Sequence, residues 1–317
     1  MFCRIAGFSL ALLLCAPAWS ADYPSKPVRM IIGFTAGGNT DIIGRVLASA
    51  MQKKLGQPVI VENRPGATAG IARELVAKAA PDGYTLLSDT SSFAAYPAFT
   101  RNPSMDLQKA FMPISLISQQ GGVIVASANA PFNTFQEMVA YAKANPGKLN
   151  YSSIGGGVTL LHFEAIKADY GIDIVGVTYK GSGDTYNAVL AGDVQLSSQS
   201  IGRVAADVAN KRVKGIMVDG NKRYPALPNT PTAAEIGFRG FYQSWQGLWG
   251  PAGLSPDIVR IINAAVVDAG QVKEVKDTLE HLEAVELLTS PEVLAQRVEH
   301  DSREWTELVR KAHIPLQ

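Results

Sequence analysis

The stretch Val28-Arg29-Met30-Ile31-Ile32-Gly33-Phe34-Thr35-Ala36-Gly37-Gly38-Asn39-Thr40-Asp41 sets the architecture of the chain. Residues 28–34 form a nearly continuous apolar run, which reads as a short strand buried on both faces. Residues 35–40 read as a tight loop. From about Asp41, the residues Ile42, Ile43, Val46, Leu47 and Leu55 recur at helical spacing until Gly56 stops the helix. Working outward, 59–61 is a second strand, 63–67 breaks it, 71–80 is helical, 81–83 turns, and 84–87 is a third strand. Strand, helix, strand, helix, strand implies a parallel sheet wound on both faces.

The pattern restarts at a strand over 122–127. Thr134 and Glu137 form a capping box for the next helix, which Asn145-Pro146-Gly147 ends. Residues 149–153 read as a strand, and Gly155-Gly156-Gly157 as a second glycine-rich loop opening a helix. Strands follow at 174–177, 194–196 and 213–218, with a helix at 184–190. Beyond Trp245, Ser255-Pro256 and Ser290-Pro291 each read as an N-cap with proline at the first helical position, and two long helices follow. Three of the four histidines (His281, His300, His313) fall in this last region and read as surface or half-buried packing residues.

Residues 1–20 read as a cleaved secretory signal: a basic start, an apolar run from Ile5 to Ala16, and small residues at Ala18 and Ser20 flanking Trp19. The run is shorter than the roughly 20 apolar residues a membrane span needs. Leu14 before Cys15 argues against a lipidated cysteine. Removing twenty of the 317 residues leaves 297, enough for two core-bearing domains, and takes away Cys3 and Cys15. A mature chain without cysteine can hold no disulfide, thiolate metal site or cysteine nucleophile. Arg4 leaves too, so 28 of the 29 Lys and Arg face 28 Asp and Glu, and net charge gives no reason to bind nucleic acid or an anionic membrane.

Enzyme signatures are missing. Gly147-Lys148-Leu149 fails as a P-loop. The runs Gly37-Gly38, Gly155 to Gly157 and Gly181-Ser182-Gly183 miss the dinucleotide spacing, and no serine has glycines two residues to either side. No pair of histidines sits at metal-ligand spacing. These absences remove the common α/β enzymes one by one without excluding every enzyme; the expectation is no enzyme, no metal and no cofactor. Both glycine-rich loops instead lie between a strand end and a helix start, where open α/β sheets bind ligands. Unpaired N–H groups and the positive dipole end there suit an anion, and glycine lets the backbone approach it. The same glycines also serve as plain βα turns.

Residues 27–34, Gly37-Gly38, Asp41, 56–67 (Gly-Gln-Pro-Val-Ile-Val-Glu-Asn-Arg-Pro-Gly-Ala) and 80–87 (Ala-Pro-Asp-Gly-Tyr-Thr-Leu-Leu) closely resemble the Bug receptors, the solute-binding proteins of tripartite tricarboxylate transporters. The resemblance continues through Tyr179-Lys180-Gly181, Lys222-Arg223, Ala226-Leu227-Pro228, Pro231-Thr232, Trp245, Pro251-Ala252-Gly253 and Ser290-Pro291-Glu292, and so spans the mature chain. It implies a periplasmic-binding-protein fold: two doubly wound α/β domains joined by crossing hinge strands, closing as a type II-like venus flytrap. The expected boundaries are 21–122 with 245–317 for the first domain and 123–244 for the second. The implied function is periplasmic capture of a small carboxylate, with ordered waters beside it, by a monomer that delivers it to membrane permease subunits. A ligand-sensing receptor, or an enzyme on the same fold, are the alternatives.

Carried over by motif, the first-domain ligand residues are Phe34, Thr35, Ala36, Gly37, Gly38 and Asp41, with Asn63, Arg64, Gly66 and Ala67 beside them and Thr90 and Ser91 after the third strand. Ser153, Gly155 and Gly157, with Tyr179, Lys180 and Gly181, face them from the second domain. Asp41 reads equally as a helix-start carboxylate bonding backbone donors. Arg64 and Lys180 read alternatively as surface charges, and Asn63 and Tyr179 as residues that shape their loops. Thr35-Ala36 stands where the family usually has two prolines, restoring two N–H donors. A histidine common in the second glycine loop falls on Leu160, so no role passes to His162.

Overall fold

The computed structural model describes residues 23–154, 157–179, 182–238, 243–311, 314 and 316; the expected signal, 1–20, lies outside them. The chain runs through β1 (Val28–Ile32), α1 (Asn39–Leu55), β2 (Val59–Asn63), α2 (Gly70–Ala77), β3 (Thr85–Thr90), α3 (Ser92–Phe99), α4 (Leu107–Ala110) and β4 (Phe111–Gln120). It then enters β5 (Gly122–Ser127), α5 (Phe135–Ala144), β6 (Leu149–Ser153), α6 (Val158–Tyr170), β7 (Ile174–Thr178), α7 (Ser182–Ala191), β8 (Leu196–Ser200), α8 (Ile201–Ala209) and β9 (Val213–Val218). It ends with β10 (Ser244–Pro251), α9 (Pro256–Ala269), α10 (Lys273–His281), β11 (Ala284–Glu286) and α11 (Pro291–Lys311).

Among the described residues the strands form two sheets, in the orders β11-β4-β10-β3-β1-β2 and β7-β6-β8-β5-β9. In the first, β1 pairs in parallel with β2 and β3, as the opening pattern requires. Its other half is antiparallel, because β4 and β10 carry the chain to and from the second sheet. In the second sheet β6 is parallel to β7 and β8, whereas β5 runs antiparallel to β8 and β9. Helices cover both faces of each sheet, giving two α/β domains. Met30 of β1 packs with Ile43 and Leu47 of α1 and Ile262 of α9, while its neighbour Ile31 packs with Val76 of α2, Phe93 of α3 and Trp305 of α11. One strand thus feeds two cores, which is why 28–32 reads as unbroken apolar sequence.

Register fixes where a ligand can sit. Gln246 of β10 faces Thr90 of β3, and Ser244 faces Gln120 of β4, so β1, β2 and β3 end where the chain leaves the first sheet. Gly122 of β5 faces Ser200 of β8, so β6, β7 and β8 end where the chain enters the second. Both sets of βα loops therefore converge on the crossing, at the carboxyl ends of the parallel strands. At the crossing a Cβ on Gly122 would lie 2.0 Å from Asp219 Oδ2, so glycine is needed there for close approach.

Some elements differ from the sequence reading. β1 stops at Ile32, and Phe34 belongs to the loop. β3 continues to Thr90, and the strand expected at 194–196 lies at Leu196–Ser200. Helices α3, α8 and α10 and strands β4, β10 and β11 carried no clear signal. His281 and His300 are exposed, as expected of packing or surface residues; His313 lies outside the described residues.

Candidate functional site

The first loop is held from beneath. Asp41, in the opening turn of α1, is buried at 3% exposure and accepts from Gly37 N–H at 2.9 Å, Asn63 Nδ2 at 2.8 Å and Arg45 Nε at 3.0 Å. Asn63 Nδ2 also donates to Phe34 O (3.0 Å), and its Oδ1 accepts from Arg45 Nη2 (2.7 Å). Burial pushes the Asp41 carboxyl up, but the bonds from Arg45, Gly37 and Asn63 outweigh it and leave it below the usual range. Its charge faces the loop's own donors. Thr35, Ala36 and Gly37 are exposed above this cradle, and Asn39 Nδ2 reaches Gln120 Oε1 (3.2 Å) at the crossing.

The second loop is strapped over the first. Arg64 N–H donates to Ile32 O (2.8 Å), while the half-exposed Arg64 guanidinium pairs with Glu62 at 3.1 Å. Arg29 holds Glu62 more tightly, at 2.6 and 3.0 Å, and with Arg64 brings its carboxyl down to about 2 against the effect of burial. Gly66, Ala67, Thr68 and Ala69 then have φ of 132°, 49°, 49° and 70°. Three successive non-glycine residues in the left-handed region are costly and persist only when their surroundings hold them. The turn presses on β1's end: a Cβ on Gly33 would lie 2.3 Å from Ala69 Cβ. Gly66 and Ala67 are exposed beside Thr35 to Gly37 in the sequence of loops.

In the third loop the nominated side chains turn inward. Thr90 Oγ1 donates to Ser92 Oγ (3.1 Å), and Ser91 is 2% exposed with its N–H on Trp245 O (2.9 Å). On the opposite wall Ser153 is 2% exposed, and its carbonyl accepts from Tyr179 N–H (2.8 Å), which ties the second and third loops of that sheet. Gly157 precedes α6, whereas Gly155, Lys180 and Gly181 lie outside the described residues. Beneath this wall Ser152 Oγ donates to Ser197 Oγ (2.7 Å), and Gln199 Nε2 donates to Ser197 Oγ (2.7 Å) and Thr185 Oγ1 (3.0 Å). That network is why the polar stretch 196–200 is a buried strand.

Sequence reasoning passed over two groups. His162, 1% exposed, meets Ser198 Oγ through Nδ1 at 3.0 Å and Asp219 Oδ1 through Nε2 at 3.3 Å. Neither Asp219 oxygen makes a hydrogen bond among the described residues. A histidine between Leu161 and Phe163 on an apolar helix face was the available signal. The second group is Arg73 of α2 with Asp89 of β3, a buried ion pair. No cluster of potential metal ligands occurs among the described residues, and no described helix is long and apolar enough to cross a membrane.

Loops converging at the crossing of two α/β sheets define the fold class of periplasmic binding proteins. The chain matches the Tripartite tricarboxylate transporter family receptor over residues 43–314, and it belongs to that family. It is similar to a UPF0065 protein of Cupriavidus necator, 37% identical over 282 residues that cover 87% of this chain and 85% of the relative. Among solved structures it resembles the periplasmic binding protein BugD, at 31% identity and TM-score 0.82, covering 93% of this chain and all of that one. It also resembles MatC of Rhodopseudomonas palustris with bound malate, at 30% identity and TM-score 0.81, covering 90% of this chain and all of that one.

Proposed function

We propose that the chain is an exported periplasmic receptor that captures a small carboxylate between its two domains for the permease of a tripartite tricarboxylate-type transporter, without a cofactor and without chemistry on the ligand. The domains are taken as 21–122 with 245–317 and 123–244, after removal of 1–20. One carboxylate is held by the backbone N–H groups of Thr35, Ala36 and Gly38, with Gly66 and Ala67 beside it, while Gly37 N–H and the Asn63 amide, bonded to Asp41 and Phe34, shape the loop. Ser153, Gly157 and Tyr179, with Gly155, Lys180 and Gly181, close over it. The observation that carries this reading is the buried Asp41 carboxylate, braced by the part-buried Asn63 and the half-exposed Arg45, beneath an exposed glycine loop at the crossing of the sheets. A loop fixed from below, with its remaining amides facing outward, suits an anion, because their orientation is set before binding. The malate bound by MatC, of the same fold, supports the ligand class.

In this arrangement Asp41, Thr90 and Ser91 shape their loops more than they touch the ligand. Thr35 and Ala36 contribute N–H groups at the mouth. Isothermal titration of the mature protein with malate, glutamate, adipate and benzoate tests the reading. Saturable binding of at least one, with a rise in Tm, is the expected result, since a ligand that binds the folded form stabilises it. No heat and no Tm shift at millimolar concentration would overturn it.

A further inference from the structure

Behind the third loop lies a buried ion pair that the carboxylate reading does not use. Arg73 of α2 is 2% exposed and Asp89 of β3 is wholly buried, with Nε 2.7 Å from Oδ2. Arg73 Nη2 donates to Ser92 Oγ (2.7 Å), and Ser92 Oγ donates to Asp89 Oδ1 (3.1 Å). The same Oδ1 accepts Thr90 N–H at 2.7 Å, and Ser92 N–H returns to Thr90 Oγ1 at 3.2 Å. The rings of Phe93 and Tyr96 flank the guanidinium, with centroids 5.8 and 5.6 Å from Cζ.

A buried pair of this kind roughly breaks even in stability against apolar residues of the same volume, because desolvating both charges offsets their attraction. What it supplies here is geometry. A guanidinium with two directed bonds fixes both the end of β3 and the start of α3, and the Thr90 and Ser92 hydroxyls close the circuit. Arg73 stands one turn after the left-handed segment 67–69, which itself presses on Gly33. The clamp therefore joins the third loop to the second, and through it to the first.

We infer that Arg73 and Asp89 are positioning residues of the binding site: they lock the three first-domain loops into one preformed wall before the ligand arrives. This rests on the receptor reading above. A preformed wall saves the ordering that a mobile loop would undergo on binding. Loosening it should thus weaken affinity more than it lowers the melting temperature.

The test uses variants that keep the buried charge paired. Arg73→Lys retains a cation beside Asp89 but loses the second directed bond, and Ser92→Ala removes the hydroxyl that links Arg73, Asp89 and Thr90. Arg73→Met strands a buried carboxylate and is unsuitable, since loss of folding would mask the effect. The probe is whichever of malate, glutamate, adipate or benzoate binds the wild type most tightly, titrated well below each Tm. We expect Arg73→Lys to weaken Kd about tenfold and Ser92→Ala roughly threefold, through lost preorganisation. Hydrogen exchange at the Thr90 and Ser92 amides should rise in both variants. Wild-type binding with both variants within twofold of it and unchanged exchange overturns the positioning role alone. A wild type that binds none of the four overturns the receptor reading and the positioning role with it.

Discussion

Asp41→Asn separates two roles a carboxylate can have in an anion site. The wild-type side chain is buried and receives three bonds, from Gly37 N–H, Asn63 Nδ2 and Arg45 Nε. In the asparagine variant one oxygen becomes an NH₂ that must face a donor. Turning the Asn63 amide to compensate would break its bonds to Phe34 O and from Arg45. Charge-assisted bonds contribute about 1.5–3 kcal/mol and neutral ones about 1, so weakening the Gly37 and Asn63 bonds and opposing one donor removes roughly 2–3 kcal/mol. Arg45 is half-exposed and adds little to that sum. At about 1.6 °C per kcal/mol for a chain of roughly 300 residues, Tm should fall by roughly 3–5 °C. Carboxylate affinity should also fall, by about tenfold, because the Gly37 region loses its anchor. A carboxylate that instead faced the ligand would repel it, so its neutralisation would tighten binding. Calorimetry for Tm and titration for Kd read both quantities, and unchanged Tm with equal or tighter binding would refute the loop-anchor assignment.

Three further outcomes follow from the geometry. Gly33→Ala should destabilise by about 2 kcal/mol through overpacking against Ala69, and adding Ala69→Gly, at φ 70°, should restore part of it in a denaturant titration, because the Ala69 Cα still lies 2.9 Å from the added Cβ. Glu62, held down to about 2 chiefly by Arg29, contributes stability that is fully present above its ordinary value of 4.5 and is lost as pH falls towards 2. Glu62→Gln should flatten the stability profile in that window and lower stability at pH 7 by about 1 kcal/mol, since the pair is part-exposed; an unaltered acid limb would count against the pairing. His162→Leu should cost about 3 kcal/mol by leaving the Asp219 carboxylate buried without its imidazole, and Asp219→Ala in the same chain should recover much of that; equal losses in single and double variants would exclude the coupling.

The opening strand, loop and helix were legible because the period changes from a continuous apolar run to helical spacing and because Gly56 donates its N–H to Gln52 O at the end. The caps at Thr134 and Ser255 were legible for the same local reason, and both accept the expected backbone N–H, from Glu137 and Ile258. The crossing strands were not. Pro113, Ser115 and Ser118 interrupt β4, and Gly247, Gly250 and Pro251 interrupt β10, so neither shows an apolar period. Their burial comes from pairing with each other across more than a hundred residues. The polar strand β8 was shifted for a related reason: its buried Ser197 is satisfied by Ser152 and Gln199, and its part-buried Ser198 by His162. Of the candidate site, the loops after β1 and β6 were visible as glycine clusters and Asp41 as a helix-start carboxylate bonding backbone donors, as Gly37 N–H shows, but Arg45, Arg73 and Asp89 were not. Arg73 on an amphipathic helix reads as a surface residue until Asp89, sixteen positions away, is placed against it.

A crystal structure of the mature protein with its bound carboxylate tests the central claim most directly. One ligand carboxylate should lie at the crossing of the two sheets, accepting N–H groups of Thr35, Ala36 and Gly38 with Asn63 and Ala67 beside it and the Ser153 wall opposite. A carboxylate found away from these loops, with the 34–38 backbone facing solvent in the liganded protein, would contradict it.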